Sequence, residues 1–342
     1  MELVFHTSCN YEETDMEKIK IGLYGDNGHQ IWFAFQHPGA EIVAAAGIAP
    51  EKIPAEHRSA LRFCDSLDEL LQTDAQLISL CSPLRSEQAR HALRCLEAGR
   101  HVYAEKPCAF REEELDEIIR TSRRVGRRFH EMASVAFQAP YAALRKCVAA
   151  GTIGEVLQVV SQKSYPWRLE RPADEHVDGG LIRQVGIYNL RFIEHLTGLR
   201  VTELFARETR LGNQGPQSEC RRAVSFSMAL SNGAIASGVS NYAGPCAPHW
   251  NSWGYENVRI FGVNGFVESV NGGETVRYYT PEQGVVPLDP NDGAIDWFDT
   301  VLDEIRTGEE LIPVPLETEL SPTRWVIRAG ERPLRNLTER EH

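Results

Sequence analysis

The chain has 342 residues, 42% hydrophobic and 25% charged, with 36 Lys and Arg against 48 Asp and Glu for a formal net charge of −12. That length suits two domains of ordinary size, and the balance is that of a globular protein rather than a fibre or a disordered chain. Nucleic acid is excluded as an expected partner, because phosphate neutralisation needs a basic face and the densest basic patch is only Arg123-Arg124 with Arg127-Arg128.

No stretch approaches the roughly 18 apolar residues of a membrane span, so no membrane is expected either. Residues 1–17, within "MELVFHTSCNYEETDMEK", are too acidic and polar for a secretory signal and read as an N-terminal extension. The eight cysteines (Cys9, Cys64, Cys81, Cys95, Cys108, Cys147, Cys220, Cys246) show neither CxxC nor paired His spacing. They predict free thiols in a reducing cytoplasm, with no metal site and no disulfide frame.

From residue 18 to about 136 strands alternate with helices. "IKIGLYG" (19–25) is a short apolar strand closed by Gly. A helix opening at Asn27 or Gly28 carries Ile31, Trp32 and Phe35 and stops at "HPGA". "EIVAAAGIA" (41–49) is a second strand, and "SLDELL" a capped turn with Ser66 as N-cap and Glu69 three residues on. "AQLISLCSP" (75–83) is a third strand, followed by a helix with Ala89, Leu93 and Leu96 on one face and Gly99 as its stop. "HVYAEKP" (101–107) supplies a fourth, Glu112 to Val125 an amphipathic helix, and "RRFHEMAS" a fifth strand.

Such alternation means right-handed crossovers and a parallel sheet, with ligands held at the carboxyl ends of the strands. Gly25, Ser82-Pro83 and Glu105-Lys106 all fall there. At "HVYAEKP" two readings stand: a solvated Glu-Lys pair at a strand end, or a lysine held rigidly for chemistry.

From about residue 137 to 342 the texture changes. "GEVLQVVSQKSYP", "ELFARETRL", "AVSFSMALSNGAIASGVSNYA", "NVRIFGVNGFVESVNG" and "TVRYYTP" alternate like strands and meet at Gly/Asn turns, which predicts a large, mostly antiparallel sheet. Helices are expected at Gly186–Leu196, Ala294–Thr307 and Pro322–Gly330, the last two covering the sheet or packing back on the first domain.

"GLYGDNGHQ" sits where a phosphate-cradling loop belongs, between strand and helix. Read as GxGxxG it gives Gly25, Asn27 and Gln30, with Gly28 one step past the second position and His29 beside it. Asn27 tolerates positive φ and can make the tight turn. Gln30 would hold helix and strand further apart than glycine does. The second strand ends on Gly47 where an acid for an adenosine ribose is expected, and Lys52 is the nearest cation. NAD and NADP are therefore not distinguished.

"CLEAGRHVYAEKP", "AGTIGEVLQV" (149–158), "DGGLIRQVGIYNLRFIEHLTG" (178–198) and "NVRIFGVNGFVE" (257–268) together resemble the glucose-fructose oxidoreductase/inositol dehydrogenase/rhizopine-catabolism family, Gfo/Idh/MocA, in order and over nearly the whole chain. The resemblance implies an α/β protein: an N-terminal Rossmann-type doubly wound parallel sheet, then a C-terminal α+β domain with a large antiparallel sheet. It implies that Lys106 reaches both nicotinamide and substrate, and that the Lys106-Pro107 bond is commonly cis. The family's Asp and His, four apart on one helix face, correspond here to Gln184 and Tyr188. Gln184 takes no proton; Tyr188 can, and the alternative for it is an aromatic filling the sheet–helix interface. The family's Thr-Pro-Asn and following His are "SPLRSEQ", with Leu84 for the Asn.

The resemblance thus implies hydride transfer between NAD or NADP and a carbon of a sugar, inositol or related polyol or keto-sugar. Tyr188 is expected as proton donor or acceptor, Lys106 as electrostatic partner and Gln184 as orienter. Gly25, Asn27, Gly28, His29, Gln30, Ser82, Pro83, Glu105 and Lys106 are expected around the cofactor. Trp167, Arg168, His176 and His249 are candidate substrate contacts. A homodimer or homotetramer is expected through the second-domain sheet. The competing expectation is a catalytically silent nucleotide- or sugar-binding sensor of the same fold.

Overall fold

The structure, a computed structural model, describes residues 17–132, 134–168, 171–213, 218–244 and 255–331. Six strands form the first sheet: β1 (Ile19–Tyr24), β2 (Ala40–Ala46), β3 (Arg62–Cys64), β4 (Leu77–Leu80), β5 (His101–Ala104) and β6 (Phe129–Glu131). They are all parallel, in the order β3-β2-β1-β4-β5-β6. Ile21, Leu23, Leu77, Ile78, Leu80 and Val102 are wholly buried, as strands covered on both faces must be. The strand order reverses between β1 and β4, and that reversal opens a crevice at their carboxyl ends.

Helices α1 (Ala55–Arg58), α2 (Leu67–Leu71), α3 (Gln88–Glu97) and α4 (Glu112–Val125) make the crossovers. As the sequence predicts, the Ser66 hydroxyl accepts the Glu69 peptide N–H at 3.2 Å and starts α2. The α-helix predicted after β1 is not there; a five-residue 3₁₀ turn, Trp32–Gln36, takes its place. Two glycines with positive φ, Gly25 (69°) and Gly28 (116°), keep the chain out of the right-handed helical region. The buried Gln30 side chain then pins residues 25–31, donating to the Gly25 carbonyl at 2.8 Å and accepting from Ile31 N–H at 2.9 Å. The edge strand β3, three residues long with two of them exposed, carries too little pattern to predict.

The second sheet has eight strands, β7 (Val156–Ser164), β8 (Val201–Thr209), β9 (Ala223–Leu230), β10 (Ile235–Asn241), β11 (Tyr255–Gly262), β12 (Gly265–Val270), β13 (Thr275–Thr280) and β14 (Gly284–Pro287). Their order is β14-β13-β12-β11-β7-β10-β9-β8, antiparallel except for the β7–β10 pair. The remaining helices are α5 (Tyr141–Ala149), α6 (Glu175–Asp178), α7 (Ile187–Thr197), α8 (Trp297–Thr307) and α9 (Leu316–Glu331). α7 lies on one face of this sheet. Its buried Asn189 donates to the Ser240 hydroxyl at 2.7 Å and accepts from the Ser161 hydroxyl at 2.7 Å, and Gly238 leaves the room, since a Cβ there would stand 2.9 Å from Asn189.

α8 and α9 pack back on the first domain. Phe298 meets Phe33 edge-on at 5.1 Å and lies 5.8 Å from Tyr103. His130 of β6 is held between Glu304 of α8 at 2.9 Å and Glu319 of α9 at 2.8 Å. α9 begins six residues before Pro322, the expected start, because Glu319 and the buried Leu320 already anchor that early turn. Among the described residues no helix is long and apolar enough to cross a membrane.

Candidate functional site

β5 delivers Glu105 and Lys106 to the crevice, and the Lys106–Pro107 peptide is cis. Both side chains are buried. Glu105 accepts the His29 peptide N–H at 2.9 Å and lies 3.0 Å from His29 Nδ1, 3.6 Å from Arg85 and 3.7 Å from the Lys106 ammonium. Burial pushes its carboxyl up, but His29, Lys106 and Arg85 outweigh that and hold it well below the usual carboxylate range. The charged pair at this strand end is therefore enclosed, not solvated.

Lys106 Nζ donates to the Gln184 backbone carbonyl at 2.9 Å and to the Gln184 side-chain oxygen, and it lies 5.5 Å from the centre of the Tyr188 ring. A π-helical turn at Ile182–Gly186 precedes α7 and contains Gln184. Such widened turns leave carbonyls turned away from the regular helical ladder, as the Gln184 carbonyl is here. Gln184 and Tyr188 both face one lysine.

Around the loop after β1 the backbone is close-packed. Gly25 N–H donates to Ala46 at 2.9 Å, and a Cβ on Gly25 would come within 2.1 Å of the Cys81 carbonyl. Asn27 donates its amide to the Pro83 carbonyl at 3.1 Å and to the Val177 carbonyl of α6, which ties the loop to the second domain. Two residues that sequence reasoning passed over knit these strand ends together. Arg85, wholly buried, donates to the Lys106 and Asn27 carbonyls. Gln88 accepts the Ser82 N–H at 2.9 Å and donates to the Glu105 carbonyl. "SPLRSEQ" carried the signal: an arginine and a glutamine directly after a strand that ends at a crevice.

Beside Tyr188 opens a cleft of about 320 Å³, lined by His29, Ile31, Phe33, Tyr103, Met132, Val135 and Gln138 on one part and by Lys163, Tyr165, Tyr188 and Glu256 on the other. The Tyr165 and Tyr188 hydroxyls are 3.4 Å apart. Burial, then Tyr188, push the Tyr165 phenol well above its ordinary range. Lys163 is a third residue of the site that the sequence reading missed, because inside β7 it looked like an ordinary strand position.

The candidate substrate contacts are dispersed. Trp167 stands 6.0 Å from the Tyr242 ring with the Arg222 guanidinium over it at 4.2 Å, and Arg168 is exposed. His176 stacks on Phe110 and lines a different hollow with Glu175, Arg183 and Glu208. His249 lies outside the described residues. Among the described residues no group of three or more His, Cys, Asp or Glu could hold a metal ion.

The parallel sheet ordered 3-2-1-4-5-6, the glycine loop at its switch point and the Glu-Lys-Pro corner beneath a second-domain helix define a class of two-domain nucleotide-binding oxidoreductases. Residues 21–132 match the model of the oxidoreductase family with an NAD-binding Rossmann fold, and residues 141–268 match the Gfo/Idh/MocA C-terminal domain. The chain belongs to the Gfo/Idh/MocA oxidoreductase family. It is similar to dTDP-3,4-didehydro-2,6-dideoxy-alpha-D-glucose 3-reductase of Streptomyces violaceoruber, 31% identical over 47% of this chain and 48% of that protein. It is also similar to myo-inositol 2-dehydrogenase of Thermotoga maritima, 26% identical over 62% of this chain and 60% of that one. The chain thus spans about half to three-fifths of the length of these curated relatives. The fold matches that of aldose-aldose oxidoreductase from Caulobacter crescentus with a TM-score of 0.76, at 22% identity over 92% of this chain and 97% of the other.

Proposed function

We propose that the chain is an NAD(P)-dependent dehydrogenase or reductase acting on a hydroxyl-bearing carbon of a sugar, inositol or related keto-sugar. The observation that carries this reading is the Tyr188 phenol, set beside two lysines at a cleft that opens next to the glycine loop. Tyr188 gives or takes the hydroxyl proton, Gln184 orients, and Lys106 fixes both.

The residues present fit a dinucleotide. Among the described residues the peptide N–H groups of Asp26 and Gly28 donate no hydrogen bond, which leaves them for an anion. Gly25, Asn27, Gly28 and His29 would hold the pyrophosphate, with Ser82 and Pro83 beneath and Gln30 bracing the loop. Gly47 stands where the usual acid would be, and the Asp26–Lys52 ion pair beside this loop would be the charged pair offered to an adenosine ribose. When bound, the dinucleotide supplies or accepts the hydride. Trp167, Arg168 and His176 stand outside the lining of the Tyr188 cleft and take no part in the proposed chemistry.

Two units are proposed, residues 18–136 for the cofactor and 137–342 for substrate and assembly. A homodimer through the open face of the second sheet fits the exposed Phe205, Val160, Ile235 and Val239. The six described cysteines, all free and buried, fit a reducing cytoplasm. Gly47 and the missing helix after β1 favour a second reading, a silent sensor. Titration with NADH and then NADPH, followed by tryptophan quenching, separates the two. Micromolar binding with turnover of inositols, glucosides or their keto forms supports the enzyme; binding of neither dinucleotide overturns it.

A further inference from the structure

The cleft holds an ammonium other than that of Lys106. Lys163 sits on β7 directly across from Glu256 on β11 and ion-pairs with it, while Tyr141 of α5 donates its hydroxyl to the same carboxylate. Its Nζ lies 4.7 Å from the centre of the Tyr188 ring and 4.6 Å from that of Tyr165. Lys163, 2% exposed, lines the cleft; Lys106, 1% exposed, stands outside that lining and gives its ammonium to both oxygens of Gln184.

We propose that Lys163 is a further catalytic residue, a second cation beside Lys106 that faces the substrate oxygen as alkoxide charge develops. The inference rests on the dehydrogenase reading above. It follows from the place of the Lys163 ammonium, in the cleft lining and beside the Tyr188 ring. A cation over two aromatic faces, in a site walled by Ile31, Phe33, Met132 and Val135, acts in a low dielectric and so weighs heavily on a developing charge.

The charge of this ammonium is sensitive to pH. Burial, then the charge of Lys106, push Lys163 down to about 7. The Glu256 carboxylate works the other way. The other titratable groups around it are Tyr165 on its own segment, Tyr188 on α7, Tyr141 on α5 and His29 on the loop after β1. Alkoxide stabilisation by Lys163 is therefore present at low pH and lost as pH rises through neutrality.

The test has two arms. In the first, the wild-type protein is labelled with acetic anhydride at a series of pH values, and lysine acetylation is read by peptide mass spectrometry. Lys163 is expected to label with a midpoint near neutral pH and to shift upward in Lys106→Met. A Lys163 that stays unlabelled until pH 10 overturns the proposal. In the second, kcat/KM against pH is measured with myo-inositol, methyl glucosides and their keto forms. Lys163→Met is expected to lower it by roughly 10²- to 10³-fold. Lys163→Arg is expected to retain activity and carry it to higher pH; this variant also guards against a Met variant that does not fold. An unchanged pH profile in both variants overturns the proposal. No turnover by the wild type, with Lys163 labelled as expected, overturns the dehydrogenase reading itself and leaves Lys163 as the cation of a binding cleft.

Discussion

At the scale of single residues, Tyr188 and Arg85 divide the work of the site. Tyr188 presents its phenol to the cleft, so Tyr188→Phe removes the hydroxyl and keeps the ring that packs near Phe192. That variant is expected to lose roughly 10²- to 10⁴-fold in kcat with little change in KM. Steady-state kinetics with the same polyol panel checks this, and unchanged turnover removes Tyr188 from its role. Arg85 acts beneath, its planar fork spanning the Asn27 and Lys106 carbonyls from one buried position. A lysine carries the charge but not the fork, so Arg85→Lys is expected to weaken dinucleotide binding about tenfold while the folded state persists. Calorimetric titration with NADH, beside far-UV circular dichroism, reads both quantities. Lys106, Gln184 and Tyr188 were legible in the sequence because a motif marks them. Arg85 stood in "SPLRSEQ" at a strand end, but nothing along the chain names Lys106 as its neighbour, and nothing marks Lys163 as a neighbour of Tyr188.

Among the elements, the loop after β1 differs most from expectation. Gly28 has φ +116°, and a Cβ there would stand 2.8 Å from Glu105 Cγ. Gly28→Ala thus meets both backbone strain and a buried carboxylate that His29 and Arg85 hold in place. A loss of about 1–3 kcal/mol of stability is expected, by urea denaturation, together with weaker dinucleotide binding. Wild-type stability in that variant would mean that the loop relaxes freely. Five of the six strands of the first sheet, all but the edge strand β3, were read from apolar runs that are short and bounded by Gly and Pro. The helix after β1 was misread because Ile31, Trp32 and Phe35 have helical spacing, while the two glycines and Gln30 act through contacts with Glu105, Ala46 and Ser79. The π-helical turn before α7 was likewise not predicted; its Gln184 carbonyl accepts from the Lys106 ammonium 78 residues away, a partner no local pattern names.

For the whole molecule, α8 and α9 are tied to β6 of the first sheet by a buried ionic cluster. Burial alone would lower the His130 imidazole, but Glu319 and Glu304 outweigh it and raise it to about 9. A group raised on folding adds stability that is fully present below its unfolded pKa, about 6.5, and that is lost as pH rises through 9. His130→Gln is therefore expected to be destabilised by about 3 kcal/mol at pH 6 and by much less near pH 9.5, by urea denaturation at the two values. An equal loss at both would assign the effect to packing. On the outer face of the second sheet, Phe205, Ser227, Ser237 and Val160 stand in one cross-strand row. Val160→Asp is expected to shift a dimer to a monomer in sedimentation velocity without unfolding it; a wild-type monomer would refute the proposed assembly.

By itself the sequence determined the class of each sheet, the position of the crevice and three residues of the site, because hydrophobic periodicity and short motifs are local properties of the chain. Tertiary structure alone decided that Glu105 is enclosed, that Arg85 ties three strand ends together, and that Lys163 lines the cleft beside Tyr188. Burial and charge neighbours depend on which segments the fold brings together, and residues 106, 163, 188 and 256 meet only once two sheets and a helix have closed around them.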